Sequence, residues 1–366
     1  MRTFRIVGVG FLIAFSACAT PPTPPVTEPV EAKIVGRYEL SAPASTVGTI
    51  TSIVRCGDIL YLADTASRIH RLNMSSGRVE SAIDDSTLMP MALAADCDRD
   101  RVWAISPKPR GHGLRAVAFD LASGSPTREL NIPVPCFPTS ATVSADVLFV
   151  GGECIEGAID QRSIRPPAAS YYANKRIGVR VSLTSSETRS GLVPFEMSCD
   201  GAGACVGGTV APFGDRWIAS LPVSSQIGVY SQDGELTGTI PVGSPGATAR
   251  DGSPLGGSAS SEQRVNWSTS NSLIHGAFVT ANHLVVVHYL LDVPPGWKMG
   301  EVRRPQFKAR INVLATDGKP LHVDLPLPEL PVGNDQEALY LVDYGPKGRE
   351  GAHETVTVLR VVPPVS

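Results

Sequence analysis

The chain has 366 residues, of which 42% are apolar and only 18% charged, with a formal net charge of -3. Such a balance supplies no overall basic field, which argues against nucleic acid and against broad electrostatic adhesion to anionic lipid. Glycine and proline are plentiful, β-branched residues dominate the apolar segments, and no stretch keeps a 3.6-residue apolar period over three turns, so a nearly all-β body is expected.

Reading from the N-terminus, Arg2 and Arg5 precede an apolar run from Ile6 to Phe15, and the small residues Ser16 and Ala17 follow, as in a secretory signal. The run is shorter than the roughly 20 apolar residues that a membrane-spanning helix needs. Phe15-Ser16-Ala17-Cys18 resembles the lipobox of bacterial lipoproteins, in which the cysteine is acylated and becomes the new N-terminus. The resemblance implies a signal peptide over residues 1–17, lipid on Cys18 and attachment to a membrane through that acyl anchor. Lipoboxes usually carry Leu where Phe15 stands, and ordinary cleavage after Ala19 to give a soluble periplasmic product is the alternative. Ala19 is not aspartate, which by resemblance to the sorting rule of enteric bacteria implies the outer membrane of a Gram-negative host, on its periplasmic side or its surface. Setting Cys18 aside leaves Cys56, Cys97, Cys136, Cys154, Cys199 and Cys205, an even set suited to an oxidising compartment. Residues 18–32 contain Pro21-Pro22-Thr23-Pro24-Pro25, which lacks amides for helix or sheet, so they read as an extended tether of about 40 Å. The body is then expected over residues 33–366.

Repetition organises the body. A short apolar run behind a polar turn recurs at Ile59–Asp64, Arg101–Ser106, Asp146–Val150, Arg216–Ser220, His283–Val287 and Ala338–Asp343, as expected of strands buried on both faces. A second strand follows each: Arg68–Leu72, Leu114–Asp120, Ile177–Leu183, Gln226–Ser231, Arg310–Ala315 and Glu354–Val362. Tight polar turns such as Asn73-Met74-Ser75-Ser76-Gly77 lead to a third run that tends to end in proline, at Leu130–Pro133, Gly191–Pro194, Gly238–Pro241 and Asp324–Pro326, which suits an outer edge strand. With a run before each buried strand, such as Thr51–Arg55 or Thr209–Pro212, each unit has four strands and reads as a propeller blade. The sixth unit stops after its third strand, and Arg37–Pro43 at the other end is expected to supply the fourth, so that the first strand pairs with the C-terminal blade. Six blades are predicted; seven is the alternative if Gly151–Lys175 holds extra strands.

Asp64-Thr65-Ala66-Ser67-Arg68-Ile69 is similar to the NHL repeat, with its aspartate, short turn and Arg-Ile opening the next strand. The chain thus resembles six-bladed propellers of the NHL and TolB-like kind, a resemblance that implies architecture over residues 33–363 and no particular activity.

Strand connectivity sorts the loops. Calling the strands a to d from the inside out, a-b and c-d turns share one face and are short, whereas the long b-c and d-a connections share the other. The long segments bring Arg110, Tyr171, Tyr172, Trp297, Lys298, Arg303 and Arg304 to one side, which is expected to bind a protein, peptide or glycan partner; the bland alternative is ordinary solvated loops. Cys136 and Cys154 lie symmetrically about Ala145 in a hairpin and are expected to pair, Cys199 and Cys205 would close a small loop, and Cys56 and Cys97 remain for each other. Asp96-Cys97-Asp98-Arg99-Asp100 alternates carboxylates but lacks the glycine and distal glutamate of a calcium loop, so it reads as an aspartate-rich turn. His275, near the start of an innermost strand, is a candidate channel-lining residue, although a satisfied structural histidine is the commoner case. No G-x-S-x-G elbow, H-E-x-x-H or P-loop is present, and the sequence points to no catalytic residue, metal or cofactor. The leading expectation is a non-enzymatic binding or scaffold module; the alternative is a metal-dependent hydrolase or lactonase of the six-bladed propeller type.

Overall fold

A computed structural model describes residues 30–40, 49–85, 87–108, 113–155, 175–189, 192, 208–222, 224–242, 260–281, 283–292, 306–343 and 354–362. Strand β1 (Glu31–Leu40) comes first, and blade 1 follows as β2 (Ile50–Cys56), β3 (Ile59–Asp64), β4 (Arg68–Asn73) and β5 (Arg78–Asp84). Blade 2 is β6 (Ala92–Asp96), β7 (Arg101–Pro107), β8 (Leu114–Asp120) and β9 (Pro126–Ile132). Blade 3 is β10 (Cys136–Ser144), β11 (Val147–Ile155), β12 (Lys175–Ser182) and the short β13 (Thr188–Arg189). Blade 4 is β14 (Val210–Phe213), β15 (Arg216–Ser220), β16 (Gln226–Tyr230) and β17 (Leu236–Pro241). Helix α1 (Ser261–Ser270) precedes blade 5, which is β18 (Leu273–Val279), β19 (His283–Asp292), β20 (Gln306–Ala315) and β21 (Pro320–Leu327). Blade 6 is β22 (Pro331–Asn334), β23 (Leu339–Asp343) and β24 (Glu354–Val362), with β1 as its outermost strand. β1 runs antiparallel to β24 with Tyr38 opposite Val356 and Glu39 opposite Thr355.

The continuous apolar runs have a simple cause. Successive side chains of a strand point to opposite faces, and each face of a blade is covered by a neighbouring blade. Leu60 and Leu62 join the core shared with Tyr340 and Val342 of blade 6, while Tyr61 and Ala63 join the core shared with Val102 and Ala104 of blade 2. Trp103 and Ile105 turn the other way, toward Leu148 and Val150 of blade 3. The remaining cores fill the interfaces of blades 3 and 4, 4 and 5, and 5 and 6, so each pair of adjacent blades shares one and the sheets form a ring.

Two boundaries need correction. The body begins before residue 33, because β1 pairs from Glu31 with Val362 onward and Val30 packs into the core between blades 5 and 6. The first strand was expected over Arg37–Pro43, but it lies over Glu31–Leu40, drawn N-terminally by the full length of its partner β24. In blade 3 the described part of the outer strand is Thr188–Arg189, paired to Arg180 and Val181, and the Ile177 amide donates to the Leu192 carbonyl further along the same edge. The body is nearly all β, as expected, with one short helix: α1 starts at a capping box in which the Ser260 hydroxyl accepts from the Gln263 amide and the Gln263 side chain accepts from the Ser260 amide.

Candidate functional site

The antiparallel order of each blade puts its b-c and d-a strand ends on one side of the ring. From that side spring the connections between Pro107 and Leu114, Ile155 and Lys175, Pro241 and Leu273, Asp292 and Gln306, and Asp343 and Glu354. Two of their roots are braced by ion pairs, Lys175 to Glu153 at 2.8 Å and Lys308 to Asp292 at 3.2 Å. Phe137 at the start of β10 and Met89 before β6 stand exposed on the same side. The sequence-predicted binding residues Arg110, Tyr171, Tyr172, Trp297, Lys298, Arg303 and Arg304 lie outside the described residues, as do Cys18, Cys199 and Cys205.

The other two cysteine pairs form disulfides. Cys136–Cys154 joins directly opposed residues of β10 and β11, and Cys56–Cys97 ties blade 1 to the turn after β6 in blade 2.

Around the axis the inner strands are laced together. β2, β10 and β18 each carry a bulge, at Thr51, Thr139 and His275. Each bulged side chain donates to a carbonyl at the threshold of the next blade: Thr51 Oγ1 to Pro90 at 2.9 Å, Thr139 Oγ1 to Gly208 at 2.8 Å and His275 Nε2 to Pro331 at 2.6 Å. The hydroxyls of Ser52 and Ser140, one residue on, accept from the Leu93 and Val210 amides of those next blades. In β22 the corresponding residue is Gly333, where a Cβ would lie 1.9 Å from the Ile53 carbonyl oxygen, so the backbones meet with no side chain between them. The repeated Thr-Ser pair is a signal in the sequence that was open to reading as an inter-blade contact. His275 also packs between the Phe278 and Tyr289 rings, and burial lowers its pKa. It is therefore a bonded structural histidine of the collar.

On the tight-turn side, blades 2 and 3 part around a cleft of about 320 Å³. Blade 2 contributes Asp96, Arg99, Arg101, Trp103 and Arg128, and blade 3 contributes Asp146 with Leu183 and Thr184. Arg99 bridges the two aspartates, at 3.1 Å to Asp96 Oδ1 and 2.6 Å to Asp146. The other Asp96 oxygen, Oδ2, and the Trp103 indole N–H are buried without a hydrogen-bond partner among the described residues. The aspartate-rich turn is thus a turn, as read: Cys97–Arg99 form one 3-10 turn that Asp100 leaves in a left-handed conformation. Its role in a cleft was not read, because the other wall comes from the next blade.

The same position in blade 6 shows what satisfaction looks like. Asp335 there precedes the b strand as Asp96 does, and Tyr340 takes the place of Trp103. The Tyr340 hydroxyl donates to Asp335 Oδ2 at 2.6 Å, Arg55 of blade 1 reaches the same oxygen at 3.2 Å, and the Glu337 and Ala338 amides bond Oδ1. Burial and this carboxylate push the Tyr340 phenol above its usual range, so it stays a donor. Among the described residues no three His, Cys, Asp or Glu side chains gather as metal ligands would, and no helix is long and apolar enough to cross a membrane.

Six four-stranded sheets sharing cores around a laced axis define a six-bladed β-propeller. Among solved structures, the chain is similar to a Bacteroides vulgatus member of the DUF4221 family, with a TM-score of 0.65 at 10% identity, covering 92% of this chain and 100% of that one. It is also similar to a Bacteroides fragilis protein described as exported, with a TM-score of 0.54 at 11% identity and coverage of 93% and 97%. At these identities the likeness shows the fold alone. No protein-family model and no curated protein matches the chain.

Proposed function

We propose that this chain is an exported lipoprotein, held on a membrane by acyl groups on Cys18, whose propeller serves as a non-enzymatic binding or scaffold module. The observation that carries the binding half is the segregation of the long connections: they all spring from one side of the ring, and the opposite side carries tight turns. A rigid ring with variable segments on one face is the usual arrangement of a recognition surface, and the exposed Phe137 and Met89 add apolar area there. Two disulfides fit an oxidising compartment, and a protein of the same fold from Bacteroides fragilis is described as exported. The partner is a protein, peptide or glycan with acidic or polar groups for Arg110, Lys298, Arg303 and Arg304, and Tyr171, Tyr172 and Trp297 supply contact area. The NHL and TolB-like kinship belongs to the same reading and rests on the Asp64 turn. Asp64 Oδ1 accepts from the Ala66 and Arg68 amides and Oδ2 meets His70 at 2.8 Å, which fixes the turn that the repeat encodes.

Two variants test the proposal. Cys18→Ala should move the protein from the membrane fraction to the soluble fraction, and Arg303→Glu with Arg304→Glu should weaken capture of a cross-linked partner from the same cells. Unchanged membrane partition of the first refutes the anchor, and unchanged capture by the second refutes the binding face.

A further inference from the structure

The cleft between blades 2 and 3 lies on the side opposite the proposed partner surface, and its chemistry is of another kind. Asp96 is 5% exposed and Trp103 is fully buried, yet Asp96 Oδ2 and Trp103 Nε1 have no partner among the described residues. A buried donor or acceptor left unsatisfied is costly in a protein, and here one of each belongs to the residues that line the same small space. In blade 6 the equivalent pair satisfies itself through Tyr340 and Asp335; with an indole N–H in place of the phenol, the two groups of blade 2 stay unpartnered among the described residues, in side chains that line the cleft.

The remaining lining fixes the charge of what fits. Arg99 is engaged by both aspartates. Arg128 donates to Ser186 at 3.0 Å with one nitrogen, and no hydrogen bond or ion pair to Arg101 forms among the described residues. The two guanidinium groups can therefore receive an anion, Asp96 Oδ2 calls for a hydrogen-bond donor, the indole N–H calls for an acceptor, and Leu183 offers a short apolar wall. At about 320 Å³ the space is at the small end of ligand pockets.

We propose that this cleft binds a small organic acid bearing an amino or hydroxyl group beside its carboxylate, as in a free amino or 2-hydroxy acid or the C-terminal residue of a peptide. The carboxylate meets Arg101 and Arg128, and the neighbouring donor meets Asp96 Oδ2. The Trp103 N–H donates to a carboxylate oxygen.

Fluorine NMR of the full chain labelled with fluorotryptophan reads this directly, because the chain has four tryptophans and Trp103→Phe identifies the Trp103 signal by its loss. Titration with amino acids, 2-hydroxy acids and a short peptide should shift that signal saturably and leave the other three in place. The matching amides, which lack the carboxylate, should fail, and Arg101→Gln should weaken the response at least tenfold while the unliganded spectrum stays folded. Free acids acting without the peptide identify the source as a small molecule, and the reverse identifies a peptide end. If no acid or peptide moves the Trp103 signal, the cleft holds water only and the proposal falls. It falls equally if the amides act as well as the acids. Neither result touches the partner surface on the other side.

Discussion

His275 shows how one residue ties local geometry to stability. It occupies the bulge of β18, donates to Pro331 of the next blade and sits between two rings, where burial favours its neutral form. Its folded pKa lies below the ordinary 6.5, so the unfolded chain takes up the proton first as pH falls. Stability from this group is present above about pH 6.5 and is lost as pH drops through the lowered folded value. His283 and His288 are shifted in the same direction by burial. The urea midpoint should therefore fall between pH 7 and pH 5, and His275→Gln, which keeps an N–H for Pro331, should flatten that fall. An identical pH profile in the variant would remove His275 from the account. At this scale the sequence was legible in part. Asp64 and the turn after it were readable as a unit because the Asp64 carboxylate bonds Ala66, Arg68 and His70, all within six residues. The Asp96 and Trp103 cleft was not, because Asp146, Leu183 and Thr184 reach it from another blade.

Elements were legible where burial is two-sided. β3, β7, β15 and β23 stand out because both faces of each strand meet a neighbouring blade, which confines charged and serine side chains to the strand ends, as with Asp64, Ser106 and Ser220. The inner strands are less plain: Cys136–Ser144 interleaves polar residues with small ones, since its hydroxyls lace blades rather than fill a core. α1 was invisible to an apolar period because its sequence, SEQRVNWSTS, has only Val265 and Trp267 as apolar residues; the capping pattern of Ser260 and Gln263 was its one local mark. The Cys136–Cys154 pair was readable from hairpin symmetry, whereas Cys56–Cys97 followed only by elimination, because it spans two blades. Both disulfides restrain the unfolded chain. Cys136 and Cys154 are 18 residues apart, and replacing both with Ser should cost about 3 kcal/mol by loop entropy. Replacing Cys56 and Cys97, 41 residues apart, should cost slightly more, about 3–4 kcal/mol. Urea unfolding of the two double variants checks the order; no loss in either would mean that neither bond forms in the native protein.

For the whole molecule, the decisive feature is that blade 6 is built from both extremities of the chain. Leu40 of β1 packs with Ile50 and Leu60 of blade 1 and with Val356 and Val358 of β24, so the first strand covers an edge that β24 would otherwise present. Six blades were countable from the repeat because each buried strand announces itself, and the missing outer strand of the sixth unit pointed to the N-terminus. The start of β1 was misplaced because the alternation of Glu31, Ala32, Lys33 and Ile34 is short and breaks at Val35 and Gly36, and pairing along β24 recruits these residues. The partner surface and the cleft both depend on this closed arrangement, which orients the long connections to one side and the turns to the other. Glu39 and Thr355 are opposed across β1 and β24 and accessible enough to modify. Glu39→Cys with Thr355→Cys, purified without reductant and mapped by mass spectrometry, should yield a disulfide-linked peptide joining positions 39 and 355 in high yield. Two free thiols at those positions in the folded protein would contradict the ring.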